Sequence, residues 1–467
     1  MSVVILLADG ARPDTLDAAL STDALPALAR LRREGALHTI TTCFPSVTGP
    51  AYAPFLMGRF PGPIGLPGLR WFDRARTTCR FPDYTRSYIG HQLGAINHDM
   101  SADSPTIFEL SASSLGALSV ITRGLPRQAR IGTITPRSAY RAARTHFTGN
   151  VAGWLQIDRE VSNDVVRRVR TERPAFVLAA FTGVDKVSHA RGHEAPMLLD
   201  ALHIVDDTAA AIRADAEHDG RWDDMSLWIV SDHGHSRVQW HEDLVQLVAD
   251  AGYRTIAHPW VFAIEPEVAV MVSGNAMAHL YLDLQSRERG DATSPRWRPL
   301  VDLLLARQSV DLCILPSARG DCAAIRTATR GSASLSWRNG RFGYRQDTGD
   351  PLGVGRDLDT ACADETYDAM FETDYPDGIV QIARLAASAR CGEIVLSAAR
   401  DWDFRARYEP IPHVSSHGAL HREHMLVPLL VNRPVEGQPR RTVDVMPSAL
   451  AALGDAIPTG LDGRSFV

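Results

Sequence analysis

Short apolar runs that lead to acidic residues are the feature of this sequence that most constrains its fold. The runs, each given with the acidic residue that follows it, are 3–8 with Asp9, 176–181 with Asp185, and 226–230 with Asp232. A fourth run, 425–431, follows a histidine-rich stretch. Nearly continuous apolar runs of this length are typical of strands that are buried on both faces of a parallel sheet.

Helical patterns separate these runs, at 25–33, 158–170, 195–217 and 442–453, and Gly454 closes the last of them. Alternating strands and helices predict an α/β fold with a doubly wound, mostly parallel sheet and helices on both faces. Ligands of such sheets bind at the carboxyl ends of the strands. The three acidic residues all fall at these ends, so we expect them to lie close together.

The region 241–390 has a different pattern, with poor helical periodicity and many glycines and arginines. Residues 268–273 and 278–284 predict paired strands, while 332–337 and 341–345 flank an Arg-Asn-Gly sequence that predicts a hairpin with a type I′ turn. We therefore expect an α+β insertion or cap at 241–390. The catalytic core is expected to consist of residues 1–240 and 391–467.

Composition narrows the class of protein. The chain has 467 residues, 45% hydrophobic and 22% charged, as in ordinary globular proteins, and its six cysteines are scattered without a CxxC pair. A net charge of −6 argues against binding to nucleic-acid polymers, which requires a basic face. No apolar run reaches the roughly 18 residues of a membrane span, and the first residues lack the basic segment of a signal peptide. The sequence predicts a cytoplasmic protein of unknown oligomeric state.

Three aspartates and three histidines are candidate metal ligands: Asp9, Asp185, His189, Asp232, His233 and His417. A single aspartate after a strand is usually a turn or capping residue, and histidines four residues after an aspartate are common. The combination in chain order is much less common, especially with DHG directly after a buried strand. Mixed nitrogen and oxygen donors favour zinc or manganese over magnesium, so we predict one or two such ions.

Thr48 is the candidate nucleophile. It precedes Gly49-Pro50 and an apolar helical stretch, which predicts that it is the N-cap of a helix. A hydroxyl there faces the positive end of the helix, where a phosphate also binds well. A plain capping threonine is the alternative, because a threonine hydroxyl attacks poorly unless a base or a metal ion removes its proton.

These residues make the chain resemble the alkaline phosphatase superfamily, and within it the type I phosphodiesterase/nucleotide pyrophosphatase branch. The motifs that carry the resemblance are the first strand ending at Asp9, FPSVT at 44–48, DxxxH at 185–189, SDHG at 231–234 and SHG at 416–418. The sequences RTVDVMP and LDGRS near the end of the chain are also typical of the superfamily. The resemblance covers roughly residues 1–240 and 391–467, and it implies an alkaline-phosphatase-like sheet.

The resemblance also implies roles for the individual residues. It assigns two metal ions, one held by Asp9, Thr48, Asp232 and His233, and the other held by Asp185, His189 and His417. Thr48 would attack phosphorus to give a phosphothreonine, and the second ion would stabilise the leaving oxygen.

Other histidines compete for these roles. The family spacing selects His189 over His193, and the SHG motif selects His417 over His421 and His424. We expect His235 and His413 to lie outside the ligand set or at the surface. Lys186, the only lysine, either contacts a substrate phosphate or is solvent-exposed.

The chain departs from the family after the nucleophile. Relatives place a phosphate-binding asparagine there, but Leu69 stands at the matching position and no asparagine lies nearby. The planar guanidinium of Arg70 is our candidate to replace it. Cys43 resembles a sulfatase nucleophile, but Val47 occupies the place of the sulfatase arginine, so we expect Cys43 to be buried.

The resulting hypothesis is a two-metal hydrolase of phosphodiester or pyrophosphate bonds that acts on a small phosphorylated substrate. A hydrolase of carbon–phosphorus bonds, as in phosphonoacetate hydrolase, or a phosphomonoesterase is the alternative within the superfamily. A metal-binding module without catalysis is the alternative of another class. Aromatic residues of the insertion either contact the substrate or form a small core of their own: Trp260, Phe262, Trp337 and Tyr344.

Overall fold

The computed structural model describes residues 1–22, 24–76, 84–132, 135–258, 263–405 and 413–467. The strands in chain order are β1 (Ser2–Ala8), β2 (Ala36–Thr41), β3 (Arg70–Phe72), β4 (Thr85–Ser87), β5 (Ser114–Ala117), β6 (Arg130–Ile131), β7 (Phe176–Phe181), β8 (Met225–Val230), β9 (Ser236–His241), β10 (Thr255–Ile256), β11 (Val268–Ser273), β12 (Met277–Leu282), β13 (Val310–Pro316), β14 (Cys322–Arg326), β15 (Ser332–Arg338), β16 (Arg341–Gln346), β17 (Leu358–Cys362), β18 (Ile394–Ala398), β19 (Asp401–Asp403), β20 (Ser415–Ser416) and β21 (Leu426–Val431).

The helices in chain order are α1 (Pro13–Ser21), α2 (Pro26–Glu34), α3 (Ala53–Met57), α4 (Ile96–Asp99), α5 (Ile107–Leu110), α6 (Pro136–Phe147), α7 (Val151–Glu172), α8 (Gly183–Arg191), α9 (Met197–His218), α10 (Leu244–Asp250), α11 (Arg298–Leu305), α12 (Ala363–Met370), α13 (Gly378–Ala386), α14 (Arg422–Met425) and α15 (Val445–Leu453). Short 3₁₀ turns lie at Pro50–Tyr52, Gly90–Ala95, Arg127–Ala129, Trp222–Asp224 and Thr442–Asp444. The predicted helical patterns correspond to α2, α7, α9 and α15. None of the helices in the described ranges combines the length and apolar composition that crossing a bilayer requires.

The first sheet has the strand order β2-β21-β8-β1-β7-β5-β6 among the described residues. Strand β1 pairs in parallel with both β7 and β8, whereas β21 is antiparallel to β8 and to β2. All side chains of β7 are buried, as are those of β1 after its first residue, since helices cover both faces. The predicted α/β fold with a mostly parallel sheet is confirmed.

The second sheet has the order β10-β11-β12-β18-β13-β14-β15-β16-β17 and is antiparallel apart from the β10–β11 pair. The predicted hairpin is confirmed, because Arg338 pairs with Arg341 and both turn residues, Asn339 and Gly340, have positive φ. Strand β18 lies inside this sheet although it follows residue 390. The domain boundaries expected at 241 and 390 stay predictions.

The loop that carries Thr48 lies between the two sheets. Cys43 and Phe44 pack in one apolar cluster with residues of β13, β15 and α13. The backbone N–H of Phe44 donates to Gln381 Oε1 at 2.9 Å, and Gln381 Nε2 donates to the carbonyl oxygen of Thr42 at 2.9 Å. Helix α13, which packs against the second sheet, thus fixes the loop near the carboxyl ends of β1 and β8.

Candidate active site

The carboxyl ends of β1, β7 and β8 bring the predicted aspartates together in a buried site. Their side chains form two groups. We call the first the Asp9 cluster (Asp9, Thr48, Asp232 and His233) and the second the Asp185 cluster (Asp185, His189, His235 and His417). The stacked rings of His233 and His417, 3.6 Å apart and 7° from parallel, join the two clusters.

In the Asp9 cluster, His233 Nε2 lies 3.3 Å from Asp9 Oδ1 and 3.6 Å from Asp232 Oδ2. The Thr48 hydroxyl lies 3.2 Å from the same nitrogen and 3.4 Å from Asp9 Oδ1. The two carboxylates and the imidazole are buried, whereas Thr48 is partly exposed. A substrate can therefore reach the hydroxyl but not the groups behind it.

In the Asp185 cluster, three imidazoles converge on one carboxylate oxygen. Asp185 Oδ1 lies 3.0 Å from His235 Nε2, 3.1 Å from His189 Nε2 and 3.6 Å from His417 Nε2. Lys186 Nζ donates to the other oxygen, Asp185 Oδ2, at 2.7 Å. One carboxylate thus faces three imidazoles and an ammonium group.

The hydrogen bonds behind the histidines fix which ring nitrogen carries the proton. Backbone carbonyl oxygens accept from Nδ1 in three of them: Ser415 O for His189 at 2.9 Å, Gly234 O for His233 at 3.1 Å, and Ser46 O for His417 at 2.9 Å. Because a carbonyl only accepts, Nδ1 carries the hydrogen and the Nε2 lone pair of a neutral ring points at the carboxylates. An imidazole nitrogen that faces a carboxylate needs a positive charge between the two, either a proton on Nε2 or a metal ion as in metal-ligating histidines.

Asp232 gives a second indication that the site fits a cation. Its Oδ1 accepts the backbone N–H of Gly10 at 3.3 Å, but its buried Oδ2 makes no hydrogen bond with any residue of the described ranges. A buried carboxylate oxygen without a partner is costly. Together with the mixed nitrogen and oxygen donors, this oxygen fits a divalent ion.

The pKa shifts show that the buried carboxylates of the Asp9 cluster attract positive charge when no ion lies between them. Burial and the charge of Asp9 raise the pKa of Asp232 to about 8. Burial alone would lower the pKa of His233, but Asp232 and Asp9 raise it to about 9. The pKa of Asp185 is held well below its usual value, since His189 and Lys186 outweigh the effect of burial.

Helix α8 places Asp185 and His189 on one face, because residues four apart in a helix are neighbours. The N-terminus of this helix is held by Asp158 of α7. Its carboxylate accepts the backbone N–H groups of Thr182 at 3.1 Å and Gly183 at 2.6 Å. Asp158 therefore caps the helix from outside and positions both cluster residues.

The predicted N-cap role of Thr48 is wrong. Gly49 precedes the 3₁₀ turn instead, with no side-chain cap, and its φ of 103° belongs to a region that favours glycine. This turn directs the Thr48 hydroxyl toward His233 and Asp9. Cys43, five residues earlier, is fully buried as expected, and its Sγ points toward the carbonyl oxygen of Pro45 at 3.8 Å.

Lys186 and Arg70, the two predicted substrate contacts, lie in different parts of the structure. Lys186 touches the Asp185 cluster, with a side chain 31% exposed and its Nζ 5.7 Å from the centre of the Trp154 ring. Arg70 begins β3, and its backbone N–H donates to Ser273 Oγ at 3.2 Å. Ser273 ends β11, next to the turn that pairs with His417. Their substrate roles stay predictions.

The competing histidines make other contacts. His193 lies 3.8 Å from Glu194, His421 lies 2.9 Å from Glu423, and His424 Nε2 contacts the Ser236 hydroxyl at 2.8 Å. The ring of His413 packs at a 32° tilt against His189, with 4.1 Å between ring centres, so it lies at the edge of the site rather than on the surface.

From the sequence we expect His235 to lie outside the ligand set or at the surface, but the structure places it in the Asp185 cluster. The signal that could have found it is the spacing from His233, because side chains two residues apart in extended chain point to the same side.

The aromatic residues of the second sheet fall into two groups. Tyr344 and Trp337 belong to the apolar cluster of that sheet, and the Tyr344 hydroxyl donates to Asp350 at 2.7 Å. They therefore pack in an apolar core, but this core also includes Cys43 and Phe44 and so is not confined to the expected insertion. Trp260 and Phe262 lie outside the described residues.

Sequence and structure comparisons agree with this geometry. The model of the type I phosphodiesterase/nucleotide pyrophosphatase family matches residues 3–299. The chain belongs to this family. It is thereby a member of the alkaline phosphatase superfamily and a metal-dependent hydrolase of phosphoester bonds. None of the curated proteins matches the chain by sequence.

Solved structures share the fold along nearly the whole chain. Phosphonoacetate hydrolase from Sinorhizobium meliloti 1021, in complex with phosphonoformate, has a TM-score of 0.57 and 16% identity, and the match covers 97% of this chain and 96% of that one. An inactive variant of murine ectonucleotide pyrophosphatase/phosphodiesterase 5 in complex with AMP has a TM-score of 0.58, 12% identity and coverages of 98% and 96%. The human protein has a TM-score of 0.56, 13% identity and coverages of 99% and 97%. At these identities the likeness establishes the fold.

Proposed function

We propose that this enzyme hydrolyses a phosphodiester or phosphoanhydride bond of a small substrate through a covalent phosphothreonine at Thr48. The observation that carries the proposal is the position of the Thr48 hydroxyl, 3.2 Å from His233 Nε2 and 3.4 Å from Asp9 Oδ1. A threonine hydroxyl is an effective nucleophile only beside a base or a cation that removes its proton. Thr48 is partly exposed, and the imidazole and carboxylate beside it can remove its proton or bind a cation that does so. The nearby Cys43 is buried.

The reaction has two displacements at phosphorus. In the first, a bond forms from Thr48 Oγ1 to phosphorus and the bond from phosphorus to the leaving oxygen breaks. The hydroxyl proton passes to the solvent and the leaving oxygen gains a proton from it. In the second, water adds to phosphorus, the bond to Thr48 Oγ1 breaks, and Thr48 regains its proton. A diester gives an alcohol and a phosphate monoester.

We further propose two divalent ions, zinc or manganese. Asp9, Thr48, Asp232 and His233 would hold one ion, and the residues Asp185, His189 and His417 would hold the other. Such ions neutralise the charge that develops on the phosphoryl oxygens, which is usually the largest contribution in this chemistry. The Nε2 lone pairs that face carboxylates support this assignment, as does Asp232 Oδ2, which has no hydrogen-bond partner in the part of the chain that the structure describes.

Lys186 is proposed to bind a phosphate oxygen. Burial opposes its charge, but Asp185 and Asp9 raise the pKa of Lys186, so it stays protonated at neutral pH. Its partly exposed ammonium group adjoins the Asp185 cluster. Arg70 is the proposed substitute for the phosphate-binding asparagine of relatives. Arg70→Ala is expected to lower turnover by orders of magnitude, and an unchanged rate would remove Arg70 from the site.

The test is paired hydrolysis of bis-p-nitrophenyl phosphate and p-nitrophenyl phosphate by protein loaded with zinc or manganese. We expect a strong preference for the diester, loss of both activities in Thr48→Ala, and a phosphoryl adduct on Thr48 in acid-quenched protein by mass spectrometry. Preference for the monoester would place the enzyme among the phosphatases. Release of phosphate from phosphonoacetate, with neither ester hydrolysed, would instead indicate carbon–phosphorus bond hydrolysis.

The Thr48→Ala variant also tests the non-catalytic alternative. Equal rates for the parent and this variant on all three substrates, with metal ions bound in both, would identify a metal-binding module. Thr48→Ser is the matched control, because it keeps the hydroxyl and is expected to retain turnover.

A further inference from the structure

His235 is the member of the Asp185 cluster to which the proposed function assigns no role. It lies on the connection between β8 and β9, two residues after His233, and it is fully buried. Its Nε2 lies 3.0 Å from Asp185 Oδ1, closer than the nitrogens of His189 and His417. A buried imidazole in this position needs a physical explanation.

The distances from Asp185 Oδ1 to the three imidazole nitrogens are those expected between neighbouring donors of a tetrahedral metal site. Bonds of about 2.0–2.2 Å from zinc to nitrogen and oxygen place neighbouring donor atoms about 3.3 Å apart. The three distances from Asp185 Oδ1 to the imidazole nitrogens range from 3.0 to 3.6 Å. The ring centres of His189, His235 and His417 form a nearly regular triangle with sides of 4.8, 5.1 and 5.1 Å. Three rings that share one centre produce such a triangle.

The hydrogen bond behind His235 gives it the same orientation as its neighbours. The Ser415 hydroxyl donates its one hydrogen to the carbonyl oxygen of Ser236 at 2.8 Å. It therefore accepts from His235 Nδ1, which lies 3.2 Å away. The hydrogen of a neutral ring is on Nδ1, and the Nε2 lone pair points at Asp185 Oδ1, as in His189 and His417.

One glycine makes room for this ring. A Cβ atom at Gly10 would lie 2.9 Å from both Cδ2 and Nε2 of His235. Gly10 also has a φ of 79°. A second glycine, Gly234, lets the backbone before His235 pass close to α14, because a Cβ atom there would lie 2.1 Å from the carbonyl oxygen of Glu423.

We propose that His235 is a fourth protein ligand, which binds the same metal ion as Asp185, His189 and His417. The inference rests on the metal centre of the proposed function and adds one ligand to it. Four protein donors complete a tetrahedral shell, as in structural zinc sites, so a leaving oxygen would bind this ion only as a fifth donor, which zinc accepts in transition states. The ion of the Asp185 cluster is then the more firmly held of the two.

The variants His235→Gln and His235→Ala separate a ligand from a residue that only orients Asp185. Glutamine can place an amide N–H near the position of Nε2 and donate to Asp185, but it is a poor zinc ligand. A ligand role predicts that both variants weaken one of two Co²⁺ sites by at least about 10- to 100-fold in chelator competition. It also predicts that both change the visible absorption of Co²⁺ at that site, a readout that does not depend on turnover.

The experiment distinguishes failure of the His235 ligand role from failure of the proposed function. If the parent binds two Co²⁺ ions and His235→Gln keeps both the affinity and the spectrum, His235 only orients Asp185 and the inference is wrong. If the parent binds no ion, the proposed metal centre fails. If the variants do not fold, a crystal structure of the zinc-loaded parent decides. A distance of about 2.0–2.1 Å between zinc and His235 Nε2 supports the inference, and one beyond about 3 Å overturns it.

Discussion

The Asp9 cluster and the Asp185 cluster share one edge of the first sheet but have different donors. The Asp9 cluster combines two carboxylates, one imidazole and the hydroxyl of Thr48. The Asp185 cluster combines one carboxylate with three imidazoles, and Lys186 already pairs with that carboxylate. The more acidic cluster holds the nucleophile. The cluster with more nitrogen donors is suited to holding an ion firmly.

The two clusters also differ in how the chain supports them. Asp9 and Asp232 follow directly from β1 and β8, so the sheet itself fixes their positions. Asp185 and His189 lie on the short helix α8, which depends on Asp158 for the cap of its N-terminus. We therefore expect the Asp185 cluster to respond to changes outside the site and the Asp9 cluster to respond mainly to changes within it.

The largest expected difference between the clusters comes from removing a carboxylate from each. Asp185→Asn removes the one carboxylate of its cluster, so the variant should lose one of two bound ions and about 10³-fold in diester turnover. Asp232→Asn leaves Asp9 in place, so we expect an ion affinity lowered by about 10- to 100-fold and turnover restored by excess zinc. Metal content after gel filtration and kcat at saturating zinc measure both effects. Equal damage by the two variants at saturating zinc would contradict the difference between the clusters.

Changes at Lys186 test the charge balance of the Asp185 cluster. Lys186→Met removes the cation bound to Asp185 Oδ2, so the affinity of this cluster for zinc should rise. The KM for the diester should rise about tenfold, as expected from the loss of one charge-assisted hydrogen bond to phosphate. Lys186→Arg keeps the charge and should restore KM. An unchanged KM in Lys186→Met would show that Lys186 neutralises Asp185 and does not bind substrate.

The single lysine offers a direct control. An amine-selective reagent can modify only Lys186 and the N-terminal amine, so mass spectrometry of the two peptides reports each site separately. A phosphate monoester that binds Lys186 should slow modification of Lys186 and leave the N-terminus unaffected.

The fold was largely predictable because its strands are encoded locally. Burial on both faces makes β1, β7 and β8 nearly continuous apolar runs, and the Asn-Gly pair determines the turn between β15 and β16. The position of β18 between β12 and β13 was not predictable. Packing selects strand partners that are so far apart in sequence. The boundary at 390 is predicted from local composition, which carries no information about that packing.

The site was predictable where a strand end or helical spacing fixes the side chain, as for Asp9, Asp185, His189 and Asp232. Two features depend on local backbone geometry that the sequence does not state. The positive φ of Gly49 turns Thr48 out of the N-cap position, and the connection after β8 turns both His233 and His235 into the site. The orientation of His235 could have been inferred from its i, i+2 spacing from His233. Its burial could not, because a histidine in a loop gives no sign that it is buried.

The pH dependence of stability tests the support of α8. Burial raises the pKa of Asp158 to about 7, above the value of about 3.9 for an unfolded chain. Between these values the folded state keeps a proton that the unfolded state has lost, so this group makes stability fall as pH rises from about 4 to about 7. Asp158→Asn should lose this contribution to the slope. It should also cost about 1–3 kcal/mol, because an amide cannot accept both backbone N–H groups.

Urea unfolding of metal-free protein at pH 5, 6 and 7 measures the slope, as the difference between the parent and Asp158→Asn. The same variant should weaken zinc binding at the Asp185 cluster more than at the Asp9 cluster. Weakening of both sites to the same extent would show that α8 does not support one cluster selectively.

The smallest expected effect is that of Cys43→Ala, in the same loop as the nucleophile. Cys43 is fully buried, and burial raises the pKa of its thiol, so the group stays neutral and out of reach of a substrate. We expect turnover within about twofold of the parent and a loss of stability of about 1 kcal/mol from the small cavity, measured by kcat and urea midpoint. Thr48→Ala, five residues later, should abolish turnover with little change in the midpoint. If Cys43→Ala lost turnover as completely as Thr48→Ala, the loop would present a thiol to the substrate, and Thr48 would not be the nucleophile.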